Sequence, residues 1–402
     1  MGSNGNLSPL PPASSPSLIL AQPTQGERDR TARHTYPNWG GALTEDGYLQ
    51  RETYLTTVPL ARDGGITHWI LTVDGGVPDE RPILSSCESL RKRAVYARPS
   101  GNGEGERVVV EGVAHGIASV FTEPAFRGKG YASRMMKEVG EKLEGWQARA
   151  AGAAEEKKGV EAVEKGSSLF SVLYSDIGKT FYAKNGWAPF ESTHVSIKPV
   201  KGAAPTEGQG VKVLGYHELA ELCAADEKQL RADLARPGGS RTKVAILPEL
   251  DAMLWHLMRE DYMTKAIFGK TPTIRGAVTG EAGKRVWAIW MRGYYGGLKK
   301  PEGNVLHVLR VVVEGPEQPE ETLADGLRAI LQIAQHEAAE WRTEDIQIWN
   351  PNPKLRSVID KTGIQYQLVN RDTDSIASLR WYGEKEQTSE LDWVANEKFA
   401  WC

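Results

Sequence analysis

The sequence FTEPAFRGKGYAS, residues 121–133, contains a strand end, a basic glycine-rich loop and a helix start. A strand is predicted over His115–Thr122 and a helix over Gly130–Gly145. Apolar side chains recur every fourth position along that helix, at Tyr131, Met135, Val139 and Leu143, which is typical of one buried helical face. The main-chain N–H groups of the loop and the positive end of the helix dipole would then point to one place, and this predicts an anion site.

Each residue type in the loop suits phosphate binding. Gly128 and Gly130 allow the backbone to approach a ligand closely, and small Ala132 keeps the first helical turn open. Arg127 and Lys129 add positive charge. An ordinary strand–turn–helix connection with basic residues in solvent would show the same pattern. The spacing fits neither a P-loop nor a dinucleotide-binding fingerprint.

A second motif lies downstream, at Leu173–Phe190 (LYSDIGKTFYAKNGWAPF). Together with R-x-x-G-x-A at Arg127–Ala132, it resembles the motifs of the GCN5-related N-acetyltransferase (GNAT) superfamily over residues 115–198. The resemblance implies an α/β fold of the α+β type, a mixed sheet flanked by helices, with a second, degenerate GNAT-like domain after it. It also implies acetyl-CoA as the acetyl donor.

The resemblance assigns cofactor contacts to three groups of residues. The pantetheine arm would pair with the strand backbone at Val120, Phe121 and Thr122. The diphosphate would lie on Arg127, Gly128, Lys129, Gly130, Tyr131, Ala132 and Ser133. The second motif would contribute Ser175, Gly178, Phe181 and Lys184. Two of these positions depart from the family pattern, because Ser175 replaces a frequent asparagine and Gly178 a small alanine, which weakens the expected contacts around the thiol.

The chain also resembles, over nearly its full length, the fungal lysine N6-acetyltransferase-like proteins. The segments that carry this likeness are Arg62–Leu71, Arg81–Ala94, His115–Met136, Ser171–Trp187 and the terminal WVANEKFAWC. The likeness implies a small primary amine as the acceptor, with free lysine first. An amino sugar such as glucosamine, a protein or histone substrate, and an acyl-CoA-binding protein without catalysis remain alternatives.

Three residues are predicted to be catalytic. The resemblance makes Tyr182 the general acid that protonates the departing thiolate, although packing beside Phe181 would explain the same residue. A lysine-type amine has a pKa of about 10.4, so a base that takes its proton is needed. His115 is the first internal choice, with Glu88 and Glu123 as weaker carboxylates; Glu88 is also predicted to contact the substrate.

The third predicted catalytic residue is Cys402, through a terminal α-carboxylate. Trp393, Phe399 and Trp401 make the last ten residues more apolar than a free tail, so this end is expected to be buried. Tandem acetyltransferases and N-myristoyltransferases resemble this layout, and some use their terminal carboxylate as the base. Aromatic residues that simply cover a hydrophobic groove would give the same composition.

The order of predicted elements repeats in the second half, which indicates a diverged duplication. Residues 1–15 are predicted to be a disordered tail, 16–200 a catalytic domain that binds acetyl-CoA, and 212–402 a degenerate GNAT-like domain. The second copy has Val313–Glu321, rich in acids and proline, where the phosphate loop should lie, and Ile359 in place of Tyr182. It is therefore expected not to bind CoA and to line the acceptor cleft instead.

One segment of the second half combines aromatic and acidic residues, Trp255–Tyr262. It could line an amine pocket, with His256 and Glu260 as substrate-binding residues. An ordinary amphipathic helix would explain the same pattern.

Composition excludes several classes of protein. The 402 residues carry 49 Lys and Arg against 52 Asp and Glu, a net charge of −3, so neither nucleic acid nor a membrane surface is an expected partner. Three cysteines and scattered histidines form no metal motif. No secretory signature is visible, so a cytoplasmic protein is expected, and the oligomeric state is left open.

Overall fold

The structure is a computed structural model that describes residues 10–100, 105–147, 168–202, 210–315, 318–383 and 387–401. Its strands are β1 Leu18–Ala21, β2 Ile66–Val73, β3 Ser85–Arg98, β4 Val108–Phe121, β5 Phe170–Ser175, β6 Ala188–Pro189, β7 Thr193–Ile197, β8 Val211–Leu214, β9 Thr242–Ile246, β10 Gly276–Thr279, β11 Val286–Tyr294, β12 Asn304–Val313, β13 Asp345–Trp349, β14 Tyr366–Asn370, β15 Ile376–Trp381 and β16 Leu391–Trp393. Its helices are α1 Gln25–Trp39, α2 Glu45–Leu55, α3 Tyr131–Gly145, α4 Thr180–Lys184, α5 Leu219–Ala235, α6 Leu250–Phe268, α7 Glu320–Glu340 and α8 Pro353–Lys361.

The α/β prediction with mixed sheets is confirmed. Helix α3 begins where the loop prediction placed it, and its apolar stripe (Tyr131, Met135, Val139 and Leu143) is buried against the first sheet. Residues 1–9 of the predicted tail, and residues 203–209 between the two predicted domains, lie outside the described residues.

The first sheet has the strand order β1-β2-β3-β4-β5-β15-β6, and β9 and β16 extend it beside β3. β4 and β5 are parallel, with α3 between them along the chain, while β2, β3 and β4 are antiparallel. The second sheet has the order β14-β7-β13-β12-β11-β10-β8. Its strands β12 and β13 are also parallel, with α7 between them along the chain. The repeated order of elements in the sequence therefore corresponds to the same strand–helix–strand unit in each sheet.

The two halves of the chain exchange strands. β15 follows residue 212 in sequence but pairs with β5 of the first sheet, and β7 precedes residue 200 but lies between β13 and β14 of the second. β9, also from the second half, pairs with the outer end of β3. The division of the chain into domains at 200–212 stays a prediction, and the sheets themselves contain strands from both sides of it.

A large apolar cluster joins the halves beneath the first sheet. It brings together Phe170 and Val172 of β5, Met253 of α6, Trp287 of β11 and Phe399 near the C-terminal end, all less than a tenth exposed. At about 25 cal/mol per Å² of apolar surface removed from water, side chains of this size each contribute roughly 1.5–3 kcal/mol. Burial of these side chains therefore stabilises the packing of the two halves against each other.

The N-terminal part of the structure is more ordered than its composition suggests. Composition predicts disorder through residue 15, but residues 10–15 pack on α3, where the Tyr131 hydroxyl donates to Pro11 O (2.7 Å) and Arg134 to Ala13 O (3.2 Å). The segment that follows, expected to be irregular, forms α1 and α2. A capping box of Thr24 with Glu27 begins α1, and this signal was present in the sequence.

The second half carries paired carboxylates near the position equivalent to the loop. Glu314 follows β12 and is held by Arg285 Nε (2.8 Å) and Trp287 Nε1 (3.1 Å). Glu397 accepts from the main-chain N–H of Val311 (3.2 Å) and pairs with Arg310. That this half does not bind CoA stays a prediction.

Among the described residues, no helix is both long and apolar enough to cross a membrane. Within the same ranges, no group of three or more His, Cys, Asp or Glu side chains is placed to hold a metal ion.

Glu27 anchors α1 and should be a major source of its stability. Its buried carboxylate accepts from Arg81 Nε (2.7 Å) and from Thr24 N (2.9 Å). The hydrogen bond from Arg81 is the largest cause that lowers its pKa from 4.5 to about 2. We expect Glu27→Gln to reduce the free energy of unfolding at pH 7 by about 2 kcal/mol. This value is smaller than the free energy that corresponds to the whole pKa shift, because solvent reaches the edge of the Glu27–Arg81 pair.

The pH dependence of this effect has a fixed sign. Because the folded-state pKa lies below the ordinary value, the stabilisation is complete above pH 4.5 and is lost as the pH falls towards 2. Urea unfolding at pH 7 and pH 4 should show the difference between Glu27→Gln and wild type becoming smaller at pH 4. The exposed pair Arg33–Glu45 (56% and 47% exposed) supplies the control, Glu45→Gln, with an expected change of about 0.5 kcal/mol or less. Equal losses in both variants would contradict this assignment.

Candidate active site

The first sheet opens where β4 and β5 separate. The two strands pair only over Ala114–Ile117 of β4. β4 then bulges, since its register on β3 shifts and Ser119 takes a left-handed φ of 52°. Past the bulge, no strand of the described chain pairs with the β5-facing edge of residues 118–121. Main-chain groups on that edge therefore face a cleft and can bond a ligand.

The glycine-rich loop closes one end of this cleft. Gly128 (φ 74°) and Gly130 (φ 85°) both take left-handed backbone conformations, and Gly130 is the residue that caps α3 without a side-chain bond. Arg127 Nε donates to the carbonyl of Thr122 (2.9 Å), and its guanidinium lies 5.6 Å from the centre of the Phe121 ring. The loop is thus held against the end of β4, with the first N–H groups of α3 available to an anion.

The residues of this loop fit a diphosphate. A Cβ added to Gly128 would meet nothing within 4 Å, so this side of the loop is open for a ligand. Lys129 and Ser133 are exposed at the same end of α3, and the Ser133 hydroxyl donates to Asn185 (2.6 Å). When bound there, acetyl-CoA would supply the acetyl thioester to the adjoining cleft, with the loop holding its phosphates.

Gly128 offers a direct test of this placement. We expect Gly128→Val to weaken acetyl-CoA binding by about tenfold or more, or about 1.4 kcal/mol, because its side chain would occupy the space left for the phosphates. Isothermal calorimetry measures the change. Gly283→Val is the matched control, since Gly283 has a φ of 85° and equally open surroundings but lies in the second half. Equal affinities in the two variants would place the diphosphate elsewhere.

Tyr182 lies at the other end of the cleft, on the short helix α4. It is 8% exposed and lines a cavity of about 410 Å³ together with Val120 of β4 and Leu173 of β5. Its ring contacts Phe181 at 5.0 Å between ring centres. Burial raises the pKa of the Tyr182 hydroxyl, so the group stays protonated at neutral pH and can donate a proton.

The remaining residues of the second motif have structural contacts. The Ser175 hydroxyl donates to Gly178 O (2.7 Å) and closes the turn before α4, where Gly178 has a φ of 78°. Phe181 packs in the apolar cluster around α3. Lys184 is exposed at the end of α4 and does not line the cavity. The substitutions at Ser175 and Gly178 thus preserve the turn that positions Tyr182.

Both halves of the chain line the cavity. Aromatic side chains form much of the wall, namely Trp39, Tyr48, Tyr174, Trp255, Tyr295 and Trp401. The lining also contains charged groups, and they are Arg51, Glu52, Glu88, Asp176 and Arg259, together with His68. Small-molecule sites commonly combine such an apolar wall with a few polar groups.

Glu88 is one predicted substrate contact that the structure places in the cavity. Its carboxylate lies 3.4 Å from His68 Nε2 and accepts from the Ser119 hydroxyl (3.2 Å). Burial opposes ionisation, but the contacts with His68 and Ser119 together lower the pKa of Glu88 below 4.5. A carboxylate ionised at neutral pH therefore lies beside the bulge of β4, where an acceptor amine would approach.

Glu52, on α2, is a second carboxylate of the cavity, and it has the opposite pKa shift. Burial raises its pKa, although Arg51 Nε donates to it at 2.9 Å. Arg51 also lies 4.5 Å from the centre of the Tyr48 ring. Residues 38–68 were not predicted to contribute to the site. The N-cap at Thr44 was the available signal for α2, but nothing local shows that this helix reaches the cleft.

The structure does not bring His115 to the cavity. It is fully buried in the middle of β4, its Nε2 donates to Trp146 O (3.0 Å), and burial lowers its pKa to about 4. Its contacts fix the end of α3 to the sheet. The weaker carboxylate choice, Glu123, lies near His34 (3.8 Å) and is also absent from the lining.

His256 and Glu260 are buried beside the cavity wall and do not line it. His256 Nε2 donates to Phe399 O (3.3 Å). Both oxygens of Glu260 are occupied, one by Arg292 (2.7 Å from its N) and the other by Arg275. The predicted substrate contacts therefore belong to the packing of α6, and the neighbouring residues of that helix, Trp255 and Arg259, face the cavity instead.

Cys402 lies outside the described residues, but the segment that leads to it is buried as expected. Phe399 and Ala400 have no exposed surface. Lys92 Nζ donates to the carbonyls of Ala400 (2.9 Å) and Trp401 (3.2 Å). Because Trp401 lines the cavity, this segment forms part of the cavity wall.

Several known proteins are similar to this chain. The family model for the LYC1 GNAT-like C-terminal domain matches residues 194–402. A lysine acetyltransferase of Yarrowia lipolytica is 22% identical over 424 residues, which covers 96% of this chain and all of that protein. Among solved structures, a conserved protein of unknown function from Enterococcus faecalis V583 has a TM-score of 0.48 at 13% identity, covering 91% of this chain and 73% of that one. A GCN5-related N-acetyltransferase from Kribbella flavida has a TM-score of 0.46 at 14% identity, covering 90% and 71%.

Proposed function

The chain belongs to the LYC1 GNAT-like family and is an N-acetyltransferase that uses acetyl-CoA, and from this premise we propose that it acetylates the primary amine of a small molecule, free lysine. The observation that carries the proposal is the cavity shared by Tyr182 and Glu88, which joins the open edge of β4 to a buried carboxylate. The Yarrowia lipolytica relative, named a lysine acetyltransferase, adds support for the acceptor.

The acetyl donor side of the reaction is assigned to β4 and α4. Main-chain N–H groups on the free edge of residues 118–121 can stabilise the negative charge that develops on the acetyl oxygen. Removing one such donor typically costs about 2.7–4 kcal/mol of barrier. As the C–S bond breaks, Tyr182 donates its proton to the sulfur. A hydroxyl that burial keeps protonated is suited to this role.

The acceptor side is assigned to Glu88. At pH 7 a fraction of about 10⁻³ of a lysine-type amine is uncharged, so the ammonium must lose a proton before its nitrogen forms the new C–N bond. The Glu88 carboxylate, ionised and next to Ser119, attracts the ammonium and takes that proton directly or through water. His68, at 3.4 Å, fixes the orientation of the carboxylate.

A panel of acceptors tests the proposal. Purified protein with acetyl-CoA would be mixed with lysine, ornithine, glucosamine, polyamines and a histone peptide while release of free thiol is followed. We expect release with lysine and little with glucosamine or the peptide. Release with glucosamine alone would make the protein an amino-sugar acetyltransferase, and release with peptide alone a protein acetyltransferase. Binding of acetyl-CoA without release for any amine would contradict the proposal.

A further inference from the structure

Arg259, half-buried on α6, differs from several buried arginines of the described chain, which are paired with carboxylates. Those that meet carboxylates are Arg51, Arg81, Arg275, Arg292 and Arg310. Arg259 lines the active-site cavity, yet within the described ranges no carboxylate lies at ion-pair distance from its guanidinium. Its guanidinium lies 5.8 Å from the centre of the Tyr295 ring. A half-buried charge that faces a cavity is costly unless an anion joins it.

The other charges of the cavity indicate what that anion is. Arg51 and Glu52 are bonded to each other, so their charges cancel. The charges that remain in the lining are the guanidinium of Arg259 and the carboxylates of Asp176 and Glu88. Glu88 lies beside His68. Burial and the neighbouring charge of Arg51 lower the pKa of Arg259, and the nearby carboxylate of Glu52 only partly opposes them.

We propose that Arg259 binds the α-carboxylate of the acceptor and makes the enzyme selective for free amino acids. This rests on the proposed function and deepens it. Lysine carries one carboxylate and two ammonium groups. Their charges are complementary to those of the Arg259 guanidinium and of the Glu88 and Asp176 carboxylates in the cavity. Glucosamine, a diamine and a lysine within a peptide all lack the free carboxylate, so each leaves Arg259 unpaired in the cavity.

The test compares acceptors that differ only in this group. Initial rates of thiol release would be measured with L-lysine and with L-lysinamide, which keeps both amines but has a neutral amide for the carboxylate; cadaverine is a third acceptor. We expect wild type to favour lysine over lysinamide in kcat/KM by about 10²-fold, the usual effect of removing one partner of a buried charge pair. This ratio requires no variant and so does not depend on how a mutant folds.

Variants separate recognition from a structural role. Arg259→Gln should lower kcat/KM for lysine by about 10²-fold and change kcat/KM for lysinamide by less than about threefold. Arg259→Lys should keep part of the preference for lysine over lysinamide, because it keeps the positive charge. Arg33→Gln, an exposed change on α1, is the control. Wild type that uses both acceptors equally, or an Arg259→Gln variant that loses both equally, would overturn the inference. An enzyme that binds acetyl-CoA but acetylates none of the amines would contradict the proposed function itself.

Discussion

Replacing Tyr182 with phenylalanine is expected to lower kcat by about 10²–10³-fold while leaving acetyl-CoA affinity within about twofold of wild type. The ring and its packing against Phe181 remain, and only the proton that would neutralise the thiolate is removed. Because burial raises the pKa of this hydroxyl, its proton is present throughout the neutral range. Steady-state rates with lysine and calorimetry with acetyl-CoA measure the two quantities.

Tyr382→Phe is the matched control for this change. Tyr382 is partly buried, and its hydroxyl is hydrogen-bonded to Ser171 (2.8 Å), but it does not line the cavity. Loss of that hydrogen bond should lower stability by about 1 kcal/mol and leave kcat unchanged. If Tyr182→Phe retained wild-type kcat, the proton would come from another group and the role assigned to α4 would be wrong.

Replacing Glu88 with glutamine is expected to lower kcat/KM for lysine by about 10²–10³-fold at pH 7. The pKa of Glu88 lies below 4.5 because His68 and Ser119 bond its carboxylate, so the wild-type group is ionised at every pH above that value. The variant lacks a proton acceptor and depends on amine that is already uncharged. Since a lysine-type amine has a pKa of about 10.4, the deficit should shrink as the pH is raised from 7 to 10.

This pH dependence distinguishes a base from a structural carboxylate. Glu111→Gln is the control, because Glu111 lies on β4 and pairs with Arg93 (3.2 Å) and Arg231 but is outside the cavity. Its effect on kcat/KM should be small and the same at each pH. A Glu88→Gln deficit that is constant from pH 7 to 10 would show that the residue does not accept the proton.

Local patterns predicted the geometry of the glycine-rich loop and of α3 well. The loop over 121–133, α3 and the strands on either side follow from neighbouring residues, through helical periodicity and glycines with left-handed backbone. Tyr182 was found by its motif and lies in the cavity. A phosphate loop of this kind depends on contacts between residues close in sequence, which is why the sequence is informative there.

The acceptor side could not be predicted in the same way, because it depends on contacts between distant segments. Which face of α6 meets the cavity depends on β11 and on the C-terminal segment. The sequence therefore could not show that Trp255 and Arg259 line the cavity while His256 and Glu260 do not. A lone histidine in a strand, such as His115, can serve packing as well as catalysis. The exchange of β7 and β15 between the sheets is likewise a pairing that no local pattern specifies.

Calorimetric titration of the full chain with acetyl-CoA tests the central claim most directly, because the account places a single donor site at the opening between β4 and β5. It predicts one molecule bound per chain, with binding weakened in Gly128→Val and retained in Gly283→Val. No binding, two molecules per chain, or a single site that Gly128→Val leaves unchanged would contradict it.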